Sequence, residues 1–136
     1  MKKILNILLV TFGLLGFTML ADPMLPGDNP PEDPKVLTEA NFNQAINTGV
    51  VIVEFVASFA EPFAEWEKIK DGEYYRVDIE KSAELKKKYK VRTVPTIIVF
   101  NNGAKELTYK ANIMFELDAT AEEIHEDIED FLSNKF

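Results

Sequence analysis

The segment VVIVEFVASFAEPFAEW, residues 50–66, is the part of the sequence that decides the fold. It opens with a run of β-branched residues, 50–53, and residues 55–57 extend the apolar character of that run. An apolar stretch of this kind is typical of a strand that is buried on both faces of a sheet. The segment therefore predicts a central strand.

A turn and a helix are expected directly after this strand. Pro62 stands where the helix could begin, because the fixed φ of proline suits a first helical position. Phe63, Trp66 and Ile69 follow at helical spacing, which predicts a helix with one face packed on the sheet.

Composition and charge limit what the rest of the chain can be. The 136 residues, 46% hydrophobic and 28% charged, suffice for one globular domain with a short extension. A net charge of −8 argues against a nucleic-acid partner, because phosphates attract a basic surface. The chain contains no cysteine, which excludes a disulfide, a thiolate nucleophile and a Cys-ligated zinc ion.

Residues 1–21 have the layout of an export signal, with a basic start and then an uncharged run over residues 4–21. Ala21 suits the position before a cleavage site, whereas Met19 stands where a smaller residue is preferred. The run is also just long enough to span a bilayer, so the segment is either a cleaved signal peptide or an N-terminal membrane anchor. In both cases the remainder is expected in the periplasm or at the extracytoplasmic face of the membrane.

Residues 22–35 are expected to form a proline-rich linker. Five prolines within residues 22–34 prevent both a helix and a central strand, which leaves an extended spacer. A proline-rich ligand for a small binding domain is the alternative interpretation. The globular domain is then expected over residues 36–136.

The rest of the domain alternates between helical and extended patterns. Helices are expected over residues 38–47, 82–89 and from 120 onward, and strands over 74–79, 94–100 and 105–110. Asn102-Gly103 predicts a tight hairpin, and Thr120 with Glu123 forms a capping-box pattern. This order implies parallel strands in the first half of the domain and an antiparallel hairpin in the second.

The strand and turn of residues 50–66 resemble the active-site unit of the thioredoxin superfamily. Proteins of that superfamily carry an acid in a hydrophobic strand, then an aromatic residue, then a Cys-x-x-Cys motif. Val53-Glu54-Phe55 is similar to the strand, and Phe59 is similar to the aromatic residue. The two cysteine positions correspond to Ala60 and Phe63, so the scaffold resembles the family and its thiol chemistry is missing.

A second block carries the same resemblance. Thioredoxin-like proteins place an Asp after a strand, then a helix ending in Lys-Tyr, an Arg, an aliphatic-Pro-Thr sequence and an Asn-Gly hairpin. The corresponding residues here are Asp78, Lys88-Tyr89, Arg92, Val94-Pro95-Thr96 and Asn102-Gly103. The resemblance implies an α/β thioredoxin-like fold, a mixed sheet of four to five strands with helices on both faces. It also implies a cis proline at position 95.

The sequence departs from the family pattern in two regions. Few residues separate Phe63 from Tyr74, so the helix after Pro62 should be shorter than is usual for the family. The glycine that usually precedes the last helix is not evident in residues 111–115.

The resemblance implies that the acid Glu54 is buried beneath the former cysteine positions. Tyr74 occupies a position where thioredoxins often have lysine, so we expect its hydroxyl to hydrogen-bond Glu54. Thiol–disulfide exchange needs one thiolate to attack and a second thiol to resolve the intermediate, and Ala60 and Phe63 supply neither. We therefore predict no oxidoreductase activity, no enzyme, and no cofactor.

The resemblance also implies a binding surface, because family members pair an extended peptide with the residue before the cis proline. The corresponding surface here comprises Phe59, Glu61, Pro62, Phe63, Val94 and Pro95. The predicted partner is a protein or extended peptide that adds a strand beside Val94. The alternative is that Phe63 and Trp66 pack inward and leave no groove.

Two other functional classes stay open: a structural subunit of an envelope assembly, and a thiol-independent enzyme of the superfamily. Ser58 lacks a general base, since the only histidine, His125, lies on the last helix. His125 stands among Glu122, Glu126 and Glu129, where a solvated acidic face is favoured over a weak metal site. We predict no metal, and the sequence does not decide the oligomeric state.

Overall fold

The structure, a computed structural model, describes residues 32–134. The predicted leader, residues 1–21, and most of the predicted linker lie outside the described residues. The predicted domain belongs to one unit that begins at Asp33. In the described part of the chain, the helices are too short or too polar to span a bilayer.

A five-stranded mixed sheet forms the centre of the domain. Its strands are β1 (Lys35–Leu37), β2 (Val50–Val56), β3 (Glu73–Asp78), β4 (Thr96–Asn101) and β5 (Ala104–Lys110). They lie in the order β1-β3-β2-β4-β5, with the first three parallel and β4 and β5 each antiparallel to its inner neighbour. The predicted α/β class, with a mixed sheet of four to five strands, is confirmed. Strand β1 was not predicted, and it includes Lys35, which the sequence assigns to the linker.

Side chains of the central strand alternate between two core clusters. Val51, Val53 and Phe55 enter one cluster, while Ile52 enters the other, as the period of two for a strand requires. Glu54 falls in phase with Ile52 and therefore lies on the second face. Because both faces are covered, β2 is apolar almost throughout.

Helices cover both faces of the sheet. Helices α1 (Phe42–Ile46) and α2 (Ala83–Lys88) bury residues in the first cluster. Helix α3 (Ala121–Ser133) covers the second cluster through Ile124 and Ile128. The predicted capping box of α3 is present, with Thr120 and Glu123 each accepting a hydrogen bond from the other's backbone N–H.

The predicted hairpin between β4 and β5 is confirmed. Asn102 and Gly103 both have positive φ, 51° and 89°, which is the conformation of a tight two-residue hairpin turn. The side chain of Asn102 also accepts a hydrogen bond from the Gly49 N–H, so the turn is tied to the start of β2.

The helix predicted after Pro62 is wrong. The segment between β2 and β3 contains only a single 3₁₀ turn, Trp66–Lys68. Both main-chain polar groups of Phe63 form hydrogen bonds with side chains. Its N–H donates to Glu54, and its carbonyl accepts from Arg76. These contacts tie the Phe63 backbone to β2 and β3.

Helix α1 begins later than the sequence predicts. It starts at Phe42 instead of at Thr38. The Thr38 N–H donates to the side-chain oxygen of Asn41, and the chain makes a turn over these residues before the helix begins. This contact has the geometry of a capping box, and the Phe42 N–H donates to the Thr38 carbonyl, so a first helical turn leads into α1.

Candidate functional site

A buried carboxylate lies beneath the turn that resembles the thioredoxin active site. Glu54 is fully buried in β2. It accepts hydrogen bonds from the Phe63 N–H at 2.6 Å, the Tyr74 hydroxyl at 2.8 Å and the Arg76 Nε at 3.0 Å. The hydrogen bond expected between Tyr74 and Glu54 is therefore present in the structure.

Arg76 is the member of this network that the sequence analysis missed. It lies directly opposite Glu54 in the register of β2 and β3 and forms a largely buried ion pair with it. Its position was detectable, because Arg76 shares a strand face with Tyr74 two residues earlier. The guanidinium also lies 5.9 Å from the centre of the Trp66 ring, which partly covers it.

The network is suited to a structural role. The carboxylate is paired with a cation and two neutral donors, which is the arrangement that lets a charge stay in a core. Burial, together with the neighbouring Glu54 carboxylate, raises the pKa of the Tyr74 phenol well above its ordinary value of 10.0, so Tyr74 remains a donor. Glu54, Tyr74 and Arg76 are thus engaged with one another by hydrogen bonds.

The two former cysteine positions pack against different parts of the core. Ala60 contacts the cluster beneath α1 and α2, and Phe63 contacts the cluster beneath α3. Phe63 and Trp66 are both half-buried. The alternative, in which both rings pack into the core, is therefore correct only in part, because each ring keeps some exposed surface.

The predicted contact residues differ in exposure. Phe59 is 61% exposed, and Glu61 and Pro62 are also exposed. Val94 and Pro95 are buried, and the peptide bond between them is cis. Val94 is 2% exposed as a whole residue, so it offers a partner little surface of either its side chain or its main chain.

A second exposed aromatic residue, absent from the sequence prediction, adjoins Phe59. The ring of Phe115 lies 5.7 Å from the ring of Phe59, between centroids, and is 47% exposed. Ile113 and Met114, which precede it, are 89% and 69% exposed. We call Phe59, Ile113, Met114 and Phe115 the aromatic patch. An apolar triplet without helix or strand periodicity was the available sequence signal.

Asn112 closes the loop that carries three residues of the patch. Its side-chain oxygen accepts hydrogen bonds from the N–H groups of Met114 and Glu116, at 2.7 and 3.2 Å. Its own N–H donates to the Glu116 carbonyl at 2.9 Å. Phe115 has a φ of 63°, in the left-handed region that favours glycine, although the family glycine is missing here.

The remaining candidates are far less organised for chemistry. The Ser58 N–H donates to Glu80, while His125 contacts Asp71 and Glu129, so Ser58 and His125 are not paired with each other.

A surface cavity of about 550 Å³ lies against α2, lined by Ala83, Glu84, Lys87 and Lys88. All four lining residues are exposed, and none belongs to the predicted contact surface.

The fold and the buried acid beneath a cysteine-free turn define an α/β domain of the thioredoxin-like class. The family model for thioredoxin matches residues 33–126. The chain belongs to the thioredoxin family, and it lacks both cysteines of the Cys-x-x-Cys motif.

Similar proteins agree with this assignment. A thioredoxin of Mycoplasmoides gallisepticum is 29% identical over 77 residues, which cover 50% of this chain and 77% of that protein. A thioredoxin of Staphylococcus haemolyticus is 28% identical over 76 residues, covering 49% and 73%. The solved structure of Plasmodium falciparum thioredoxin superposes with a TM-score of 0.56 at 23% identity, covering 71% of this chain and 98% of that one. A designed protein superposes with a TM-score of 0.59 at 16% identity, covering 74% and 99%.

Substitution of Glu54 tests the structural role of the buried ion pair. We expect Glu54→Gln to lower the free energy of unfolding by about 3 kcal/mol, because it leaves the largely buried Arg76 without its counter-charge. Urea unfolding at neutral pH measures this loss. Glu73→Gln, an exposed acid on β3, is the matched control and should change stability by no more than about 0.5 kcal/mol. Equal effects of the two substitutions would contradict the assignment.

Tyr74 should make stability fall at alkaline pH. The pKa of Tyr74 is raised in the folded state, so above about pH 10 the unfolded chain releases a proton that the folded chain keeps. The unfolded state then binds fewer protons, and the free energy of unfolding decreases as pH rises. Tyr74→Phe should weaken this decrease between about pH 10 and 11, as measured by urea unfolding.

The same substitution should also cost about 1–3 kcal/mol at neutral pH, because Glu54 loses a donor. Tyr75→Phe is the matched control, since the described residues offer its hydroxyl no hydrogen bond. The Tyr75 variant should keep the alkaline decrease of the native protein. An identical pH profile for the two variants would exclude a special role for Tyr74.

Proposed function

We propose that this chain is a redox-inactive thioredoxin-family module that binds a protein or extended peptide without forming a covalent bond. The aromatic patch is the contact surface, and the neighbouring Glu61 and Pro62 extend it. The chain contains no cysteine, so its complexes cannot pass through the mixed disulfide on which thiol–disulfide exchange depends.

The observation that carries the proposal is the concentration of exposed apolar side chains. Five large hydrophobic residues are exposed among residues 32–134, and four of them form the aromatic patch. The fifth, Val36, lies on β1. Single exposed apolar residues are ordinary, whereas an exposed apolar patch is typical of an interaction site.

The loop that carries the patch is also preorganised. The hydrogen bonds of Asn112 hold residues 112–116 in one turn before any partner arrives. A left-handed conformation for a phenylalanine costs on the order of 1–2 kcal/mol, and such outliers cluster at functional sites. A preorganised loop loses less conformational entropy on binding.

The charges beside the patch indicate the chemistry of the partner. Glu61 follows Phe59 closely in the sequence, and Glu116 directly follows Phe115; both are exposed. The chain as a whole carries a net charge of −8. A partner segment with apolar side chains and flanking basic residues would match this surface, because complementary charges speed association and suppress wrong partners.

Loss of an aromatic side chain from the patch should weaken partner binding. Phe115→Asn removes the ring while keeping a residue that tolerates the left-handed conformation. Aromatic hot spots typically contribute 2 kcal/mol or more, so we expect roughly a 30-fold loss of affinity. The full-length protein, immobilised, would be incubated with envelope extract, and a retained partner would be titrated against each variant.

Val36→Ser is the matched control, because Val36 is 60% exposed and lies outside the patch. This variant should bind as the native protein does. Circular dichroism and thermal unfolding would establish that both variants fold. Equal binding by Phe115→Asn and native protein would show that the binding site lies outside the aromatic patch. The absence of any partner would contradict the binding function.

We also propose that residues 1–21 direct the domain out of the cytoplasm, on the basis of their basic start and uncharged run. Residues 1–35 fused to leaderless alkaline phosphatase should yield activity in cells, because that enzyme needs disulfides that form outside the cytoplasm. Lys2→Glu with Lys3→Glu should lower this activity. Activity equal to that of the leaderless enzyme would contradict export, and an N-terminus at Asp22 would distinguish cleavage from anchoring.

A further inference from the structure

Three side chains with metal-binding atoms meet between helix α3 and the turn that precedes β3. Asp71 lies on that turn, and His125 and Glu129 lie one helical turn apart on α3. Asp71 Oδ2 is 3.2 Å from His125 Nδ1, and Glu129 Oε2 is 3.4 Å from His125 Nε2. None of these residues belongs to the aromatic patch, and the proposed binding function does not depend on them.

The contact between Asp71 and His125 is close without being a hydrogen bond. Asp71 Oδ2 and His125 Nδ1 are both buried atoms, and neither has a hydrogen-bond partner. A buried polar atom without a partner carries a free-energy cost. A positive ion placed between the two atoms would remove that cost for both.

Glu129 prepares the imidazole to accept such an ion. Glu129 Oε2 lies beside Nε2 and so restrains the orientation of the ring. Nδ1 faces Asp71, and it is the ring nitrogen that would bind the ion. Metal-binding histidines are commonly oriented in this way by a carboxylate on the other ring nitrogen.

The separation of the two free atoms fits shared coordination. Zinc binds histidine nitrogen and carboxylate oxygen at about 2.0–2.2 Å, so neighbouring ligands of a tetrahedral ion lie about 3.4 Å apart. The observed 3.2 Å between Asp71 Oδ2 and His125 Nδ1 is close to that value. Both atoms lack a hydrogen-bond partner, so each is free to bind an ion.

The local charge also favours a dication. Asp71 and Glu129 bring two carboxylates to the imidazole, and their ion-pair contacts within residues 32–134 are to His125 alone. Lys68, which lies against the same helix, is held by Glu65 at 3.2 Å and by Glu122 at 3.8 Å. It is therefore committed to other carboxylates.

We propose that Asp71 Oδ2 and His125 Nδ1 bind a divalent transition-metal ion of the zinc type, with water completing its coordination and Glu129 orienting the imidazole. The ion joins α3 to the turn before β3 and so stabilises the domain. The sequence favoured a solvated acidic face over metal binding at His125, because it could not show that Asp71 comes to the same place.

Zinc titration of the full-length, tag-free protein tests this site. At zinc concentrations about ten times the dissociation constant, the melting temperature at pH 7.5 should rise by about 5 °C, whereas magnesium should have little effect. Asp71→Asn and His125→Gln should each abolish the rise. Glu126→Gln, which removes an exposed acid next to His125, is the matched control and should retain it.

Acidification provides a second readout, since protons compete with the metal for imidazole. The zinc response should shrink at pH 5.5, and zinc binding at pH 7.5 should release protons in calorimetry. No shift with zinc, or an equal shift in Asp71→Asn and Glu126→Gln, would overturn the proposal. Stabilisation by acid alone, without a zinc response, would also overturn it and assign the contact to a charged histidine.

Discussion

The ion pair between Glu54 and Arg76 is the constraint on which the rest of the domain depends. A carboxylate can stay in the core only where donors surround it, and these come from the neighbouring strand and from the turn. The pair thus links the register of β2 and β3 to the backbone path at Phe63.

This network changes how the degenerate motif should be interpreted. The family resemblance presents the buried acid as a companion of the cysteines, yet here the acid is fully engaged in a domain that has none. Its contacts account for its presence without any thiol chemistry. Loss of the cysteines therefore removes a reaction and leaves the architecture of the turn in place, where exposed Phe59 is still presented to solvent.

Local signals in the sequence predicted most of the fold. The apolar run of β2, the Asn102-Gly103 hairpin and the capping box at Thr120 each depend on residues that are close in sequence. The expected helix after Pro62 failed at a place where side chains of two distant strands bond to the Phe63 backbone. Strand β1 was missed because three residues are too few to show a period.

The candidate sites were less predictable than the fold, because both depend on contacts between distant segments. The family resemblance indicated Phe59, but its neighbour Phe115 lies in a segment that matches no family motif. Val94 and Pro95, which the resemblance assigned to the surface, are buried. His125 attracted attention as the only histidine, and only the folded chain brings Asp71 to it.

The loop at Asn112 has a consequence for how this domain can diversify. Its closure uses main-chain groups and the Asn112 amide, so the side chains of residues 113–115 take no part in holding its shape. Positions 113 and 114 can therefore vary without disturbing the sheet, whereas position 115 needs a residue that tolerates the left-handed conformation. Evolution or protein engineering can therefore change the binding specificity of this loop by substitution while the fold of the domain stays the same.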